Sequence, residues 1–140
     1  MSYEFPSEAW IEQFQDRLND NETYREAASD WGIEFNGDFI FEVEAADGLA
    51  ESHYYFVGLE AGDCTDAYRT ETPEDEPYGF WFAGAYDDWK RMVEGDVGAI
   101  DGLMSGTFEL EGDMQKVLQA TDAAAALVDT TTEIESDFVA

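Results

Sequence analysis

The chain holds one histidine, His53, and one cysteine, Cys64, the side chains best suited to nucleophilic chemistry. A thiol attacks as its thiolate, and a neighbouring imidazole can take the proton. Ten residues lie between the two, so pairing of successive strands could bring them together. No further residue is marked to orient the imidazole, and no donors are marked to hold an oxyanion. His53 therefore reads as a surface or edge residue, and no catalysis is expected. A lone cysteine also excludes an internal disulfide and any multi-cysteine metal site. The acidic residues do not follow the spacing of a calcium-binding loop. Gly32, Gly37, Gly48, Gly58 and Gly62 stand isolated rather than forming a phosphate-cradling run. Neither a metal nor a cofactor is expected. Asp113 beside Gly112 has the look of a catalytic acid, but helix capping accounts for it.

The elements that would position any site follow from hydrophobic spacing. Residues 7–18 read as a helix, with Ser7 as cap and an apolar stripe of Trp10, Ile11, Phe14 and Leu18. A second helix is expected at 22–31, capped by Asn21 and ended by Gly32. From Ile33 the period changes to two: Phe35, Phe39, Phe41 and Val43 share one parity. Asn36-Gly37 interrupts that run as a turn or a bulge. After a loop at 45–52, further strands are expected at 53–60, 64–70 and 78–85, with a solvated loop at 71–77. Helical spacing returns at 86–95 and in a short helix capped by Asp96 that carries Val97, Ile100, Leu103 and Met104. A fifth strand is expected at 107–111. The longest helix, about 114–128, is capped by Asp113, and a polar tail follows with a short extended piece near Ile134 and Phe138. Grouped strands between helices give an α+β domain, with helices packed on one face of a mixed or antiparallel sheet. Two strands are aromatic on both parities, so either both sheet faces are covered or one is a dimer contact.

Charge narrows the function classes. The 140 residues include 6 Lys and Arg against 34 Asp and Glu, a net charge of −28, with a sequence pI near 4.1. Such a chain offers no basic stripe to displace counterions from nucleic acid and does not suit anionic headgroups. Yet aromatic residues make up 15%, far above a disordered acidic tail, so a packed core is expected. A folded monomer of this mass exposes roughly 7,300 Å², about one net negative charge per 260 Å². The acids are spread along the whole chain, which reads as a solvated surface suited to a cytosol of molar salt rather than a concentrated partner-binding face. Neither an apolar run long enough to span a membrane nor a secretory signal is expected.

The stretch Tyr86 to Leu118 resembles the sterol carrier protein family. The resemblance rests on Trp89-Lys90, Gly95-Asp96, Leu103-Met104-Ser105-Gly106, Phe108-Glu109-Leu110 and Gly112-Asp113-Met114, in that order and spacing. The preceding strands suit the same family, so the likeness covers about residues 33–128. The chain ends Asp137-Phe138-Val139-Ala140, without the peroxisomal address of some members. The resemblance implies a five-stranded sheet with helices on one side and an apolar tunnel between them. The chain is then a single sterol-carrier-like domain over residues 1–140: two N-terminal helices (7–32), a core (33–128) and a polar tail (129–140).

On that footing Phe41, Phe80, Phe82, Met104, Met114 and Leu118 are the expected ligand-binding residues. Large adaptable side chains can close on an apolar tail without exact shape matching. The implied role is non-catalytic binding and transfer of a lipid or isoprenoid in the cytosol, with no nucleic acid and no stable membrane anchor. Its competitor is an accessory module that binds no ligand and acts through dimerisation.

Overall fold

The computed structural model describes residues 2–46 and 49–138. Asp47-Gly48 of the expected loop and Val139-Ala140 of the expected tail lie outside the described residues. The sheet is five-stranded, in the order β4-β3-β2-β5-β6, built from β2 (Phe39–Glu44), β3 (His53–Glu60), β4 (Asp63–Arg69), β5 (Phe80–Ala85) and β6 (Glu109–Glu111). β2 and β5 run parallel, and the other neighbours are antiparallel, so the sheet is mixed. The strand expected from Ile33 is β2, and it starts at Phe39. Asn36 Oδ1 accepts the Asp38 N–H at 2.9 Å, which makes Asn36-Gly37 a turn ahead of the strand.

Phe39, Phe41 and Val43 face the helices, in register with Val57, Tyr55 and His53 of β3; Phe39 and Phe41 also align with Phe80 and Phe82 of β5. The opposite face carries Ile40, Tyr54, Phe56, Tyr68 and Trp81. The segment linking β4 to β5 crosses that face through a 3₁₀ turn at Pro73–Asp75, where the Tyr68 hydroxyl donates to Glu76 at 2.8 Å. Its Pro73 is buried, and Ile40 and Phe56 are 0% and 4% exposed. The chain thus covers part of its own outer sheet face, while Tyr54, Tyr78 and Trp81 stay half-buried.

The helices pack on the other face. α1 (Glu8–Asn19) is capped by Ser7, whose hydroxyl accepts the Trp10 N–H, and buries Trp10, Ile11, Phe14 and Leu18. α2 (Glu22–Ala27) is capped by Asn21 and stops short of Trp31. Trp31 instead turns inward, and its indole N–H donates to the Gly37 carbonyl at 2.9 Å while its ring packs against Phe35 and Phe80. Burial of that ring overrides local helix spacing. α3 (Tyr86–Val93) ends in a left-handed Gly95, φ +88°, with the Asp96 N–H bonded to the Arg91 carbonyl at 2.8 Å. Asp96 therefore closes α3; it does not cap α4 (Ala99–Ser105), whose N-cap is Gly98 with no side-chain bond.

The expected long helix is two. α5 (Met114–Gln119), capped by Asp113, and α6 (Thr121–Thr132) meet at Ala120, φ −110° and ψ 38°. The break lets α5 and α6 bury different faces. The extended piece expected near Ile134 and Phe138 is present and packs on the core. Thr130, Thr131 and Ile134 are buried, and β7 (Ser136–Phe138) pairs in parallel with β1 (Tyr3–Phe5). The Trp10 indole N–H donates to the Ser136 hydroxyl at 2.8 Å, and Phe138 meets Phe5 edge-on at 6.1 Å.

Candidate functional site

Between the sheet and the helices α1 to α6 lies a cavity. Its floor is Phe39, Phe41, Leu59 and Phe82, and its roof includes Trp89, Leu103, Val117, Ala123 and Leu127. The polar groups on its wall bond elsewhere. The Trp10 indole bonds Ser136, the Trp31 indole bonds Gly37 and the Trp89 indole donates to the Glu42 carbonyl at 2.8 Å. The Thr131 hydroxyl donates to the Val128 carbonyl at 2.6 Å. Tyr24 supplies the remaining hydroxyl, and burial pushes its phenol well above the ordinary range, so it stays neutral. A wall of this kind offers water too few partners to hold it.

The vacancy is small in this state. Centres of water-sized spheres can occupy about 70 Å³, against about 10–15 Å³ needed for one water. All empty space in and around it totals about 750 Å³, part of it open to solvent.

Of the six residues expected at the site, Phe41 and Phe82 line this cavity. Phe80 is buried beside them, stacked on Phe39 at 5.1 Å, but does not reach the wall. Met104, Met114 and Leu118 are 76%, 36% and 39% exposed and point away from it. The wall instead uses Leu103 and Val117, their neighbours in sequence, and a run of alanines in α6. Within α5 only Val117 faces the cavity, and past the break at Ala120 the wall passes to Ala123, Ala124, Leu127 and Val128 of α6. Trp10, Trp31 and Trp89 were legible as core but not as wall, because periodicity marks burial and not vacancy.

The nucleophile pair does not form. β3 and β4 do pair, but Cys64 sits opposite Leu59, six residues along the strand from His53 and so about 20 Å away. Burial pushes the Cys64 thiol up to about 12, and its sulfur bonds the Asp66 carbonyl at 3.5 Å. Burial, and then Arg69, hold His53 below its usual value. A second depression on the outer face is lined by Glu42, Glu44, Glu109 and Glu111 beside Trp81. Desolvation, then Glu42 and Glu109, raise the Glu44 carboxyl. Among the described residues no cluster of histidine, cysteine and acids could hold a metal, and no helix is long and apolar enough to cross a membrane.

A mixed sheet with a one-sided helical layer and an apolar-lined cavity between them defines the class: an α+β domain built round an apolar space. The chain belongs to the SCP-2 sterol transfer family, which residues 11–125 match. A crystal structure of sterol carrier protein 2 superposes with a TM-score of 0.82 at 27% identity, covering 94% of this chain and 99% of that one. A solution structure of the Thermus thermophilus protein TT1886 gives 0.83 at 26% identity, covering 98% and 94%. The sterol carrier protein domain 2 of Helicoverpa armigera shares the fold at 14% identity and a TM-score of 0.58, covering 92% and 95%. No match is found among curated proteins. Family and fold together support lipid binding or transfer in general terms.

Proposed function

We propose that this chain is a non-catalytic carrier that holds one apolar molecule, a lipid or isoprenoid, between sheet and helices and moves it through a salt-rich cytosol. The observation that carries the reading is the cavity wall, whose polar groups other than Tyr24 are already bonded elsewhere. Each methylene transferred there from water contributes about 0.8 kcal/mol. Phe41, Phe82, Trp89, Leu103 and Leu127 are the proposed contacts for the tail. The neutral Tyr24 phenol is the proposed hydrogen-bond partner for a hydroxyl or carboxyl at the ligand's end. Pockets for ligands of that size run to roughly 300–1,000 Å³, so cargo must widen the space.

Titration with a fluorescent fatty acid, and native mass spectrometry of the purified chain, test this. Saturable one-to-one binding is expected. Replacing Ala123, 6% exposed on the wall, by leucine fills the vacancy and should weaken binding at least tenfold. Its melting temperature should stay within a few degrees, because the added methylenes enter free space. A chain that binds no apolar probe overturns the carrier role.

A further inference from the structure

The segment from α4 through α5 carries apolar side chains on both sides, with Asp101, Glu109, Glu111 and Asp113 exposed among the outer ones. On its inner side Ala99, Leu103, Leu110 and Val117 form part of the cavity wall. On its outer side Met104, Met114 and Leu118 are exposed. Met114 and Leu118 stand four residues apart on one face of α5, and Met114 borders, with Leu103 and Leu110, the depression that Glu42, Glu44, Glu109 and Glu111 also line. Among the described residues the fourth exposed large apolar one, Ile33, lies two residues from Phe35, whose ring sits 4.5 Å under the Lys116 ammonium of α5.

Charge marks the same segment. In a chain of net charge −28, residues 102–108 and 114–121 contain no acid, and 114–121 carries Lys116. Asp101, Glu109, Glu111 and Asp113 border these stretches rather than enter them. The segment's elements are short, and Phe108, 2% exposed and stacked on Phe82, is the buried ring that holds them to the sheet. α4 has 7 residues, α5 has 6, and β6 is a 3-residue edge strand paired only to β5. Cargo that widens the cavity must displace an element of its wall, and displacing this one would uncover Leu103 and Val117.

We propose that the α4–α5 face docks on a lipid surface and is the portal through which cargo passes. The inference rests on the carrier reading above. A bilayer offers apolar surroundings to Met104, Met114 and Leu118 at once, and to Leu103 and Val117 when the segment lifts. A zwitterionic bilayer carries no net charge, so it tolerates the bordering acids. A second copy would press the same acids together. Three partly exposed side chains also fall far short of the ~800 Å² per partner of a stable protein interface.

Flotation with phosphatidylcholine vesicles, in 0.15 M and 1 M potassium chloride, tests the docking. Wild-type chain should float with the vesicles. A triple variant, M104Q with M114Q and L118Q, should partition at least tenfold less. Its circular dichroism and its affinity for a fluorescent fatty acid added from solution should stay within twofold. Absence of wild-type flotation, or equal flotation of the variant, overturns the proposal. A wild-type dimer abolished in the triple variant also overturns it, since the face is then an interface between copies. If wild type floats, the variant does not, and neither binds the fatty acid, docking stands and the carrier reading fails.

Discussion

Phe108 sits between two glycines. Its ring stacks on Phe82 at 4.8 Å, and a Cβ built on Gly84 of β5 or on Gly102 of α4 would collide with it. The close approach fastens α4 to the sheet with one aromatic ring. Gly84→Ala should therefore destabilise by about 1–3 kcal/mol, as overpacking of a filled core does, read as a lower denaturation midpoint. An unchanged midpoint would mean the ring has room to move. Spacing alone made Phe108 an inward strand residue. Gly102 lies only six residues before Phe108, but Gly84, on the other side of the ring, is 24 residues away on β5, and no local signal joins the two. Cys64 shows the same limit. Its residue type suggested reactivity; its position under α1, with backbone N–H and carbonyl both bonded to Asn19, makes it core. The thiol should resist a disulfide reagent at pH 8 until the chain unfolds. Between about pH 9 and 12 the folded state keeps a proton the unfolded state has lost, so this group makes stability fall as pH rises. Rapid labelling of folded protein would contradict the burial.

Among the elements, β2 to β5 and the first helix lay close to the surface of the sequence, because each repeats a period over six or more residues. Three features did not. β1 is too short to show alternation. The bend at Ala120 interrupts a run with good helical spacing, and only tertiary packing decides which face each half buries. The end of α2 yields to the burial of Trp31. The same cause hid part of the cavity wall: a helix with the right period can be placed correctly in sequence and still be rotated. The pairing of β1 with β7 ties the chain ends to α1 through Trp10 and Ser136, with Ile134 buried beneath at 4% exposure. Ile134→Ala should cost about 2–5 kcal/mol, measured by denaturant titration. A loss under about 0.5 kcal/mol, the usual range for surface substitutions, would show the terminal pairing to be a surface feature rather than part of the core.

At the scale of the molecule the main electrostatic effect is self-repulsion. The folded chain presents 7118 Å² of surface with a net charge of −28, so like charges lie within about two Debye lengths of one another at physiological ionic strength. Ion pairs such as Arg25–Asp63, at 3.3 Å and largely exposed, offset little of this. Asp38 and Glu44 add a second sign of crowding. Desolvation first, then neighbouring acids, hold both carboxyls above their ordinary values. For such groups the folded state binds more protons than the unfolded one, so stability rises as pH falls through the folded value. Salt and protons then relieve the same repulsion by different routes. Raising potassium chloride from 0.1 M to 2 M should lift the melting temperature, and by more at pH 7.5 than at pH 5. Scanning calorimetry at the four corner conditions checks this. If salt acts equally at both pH values, its effect comes from apolar burial, and the acidic surface is a matter of solubility and not of stability.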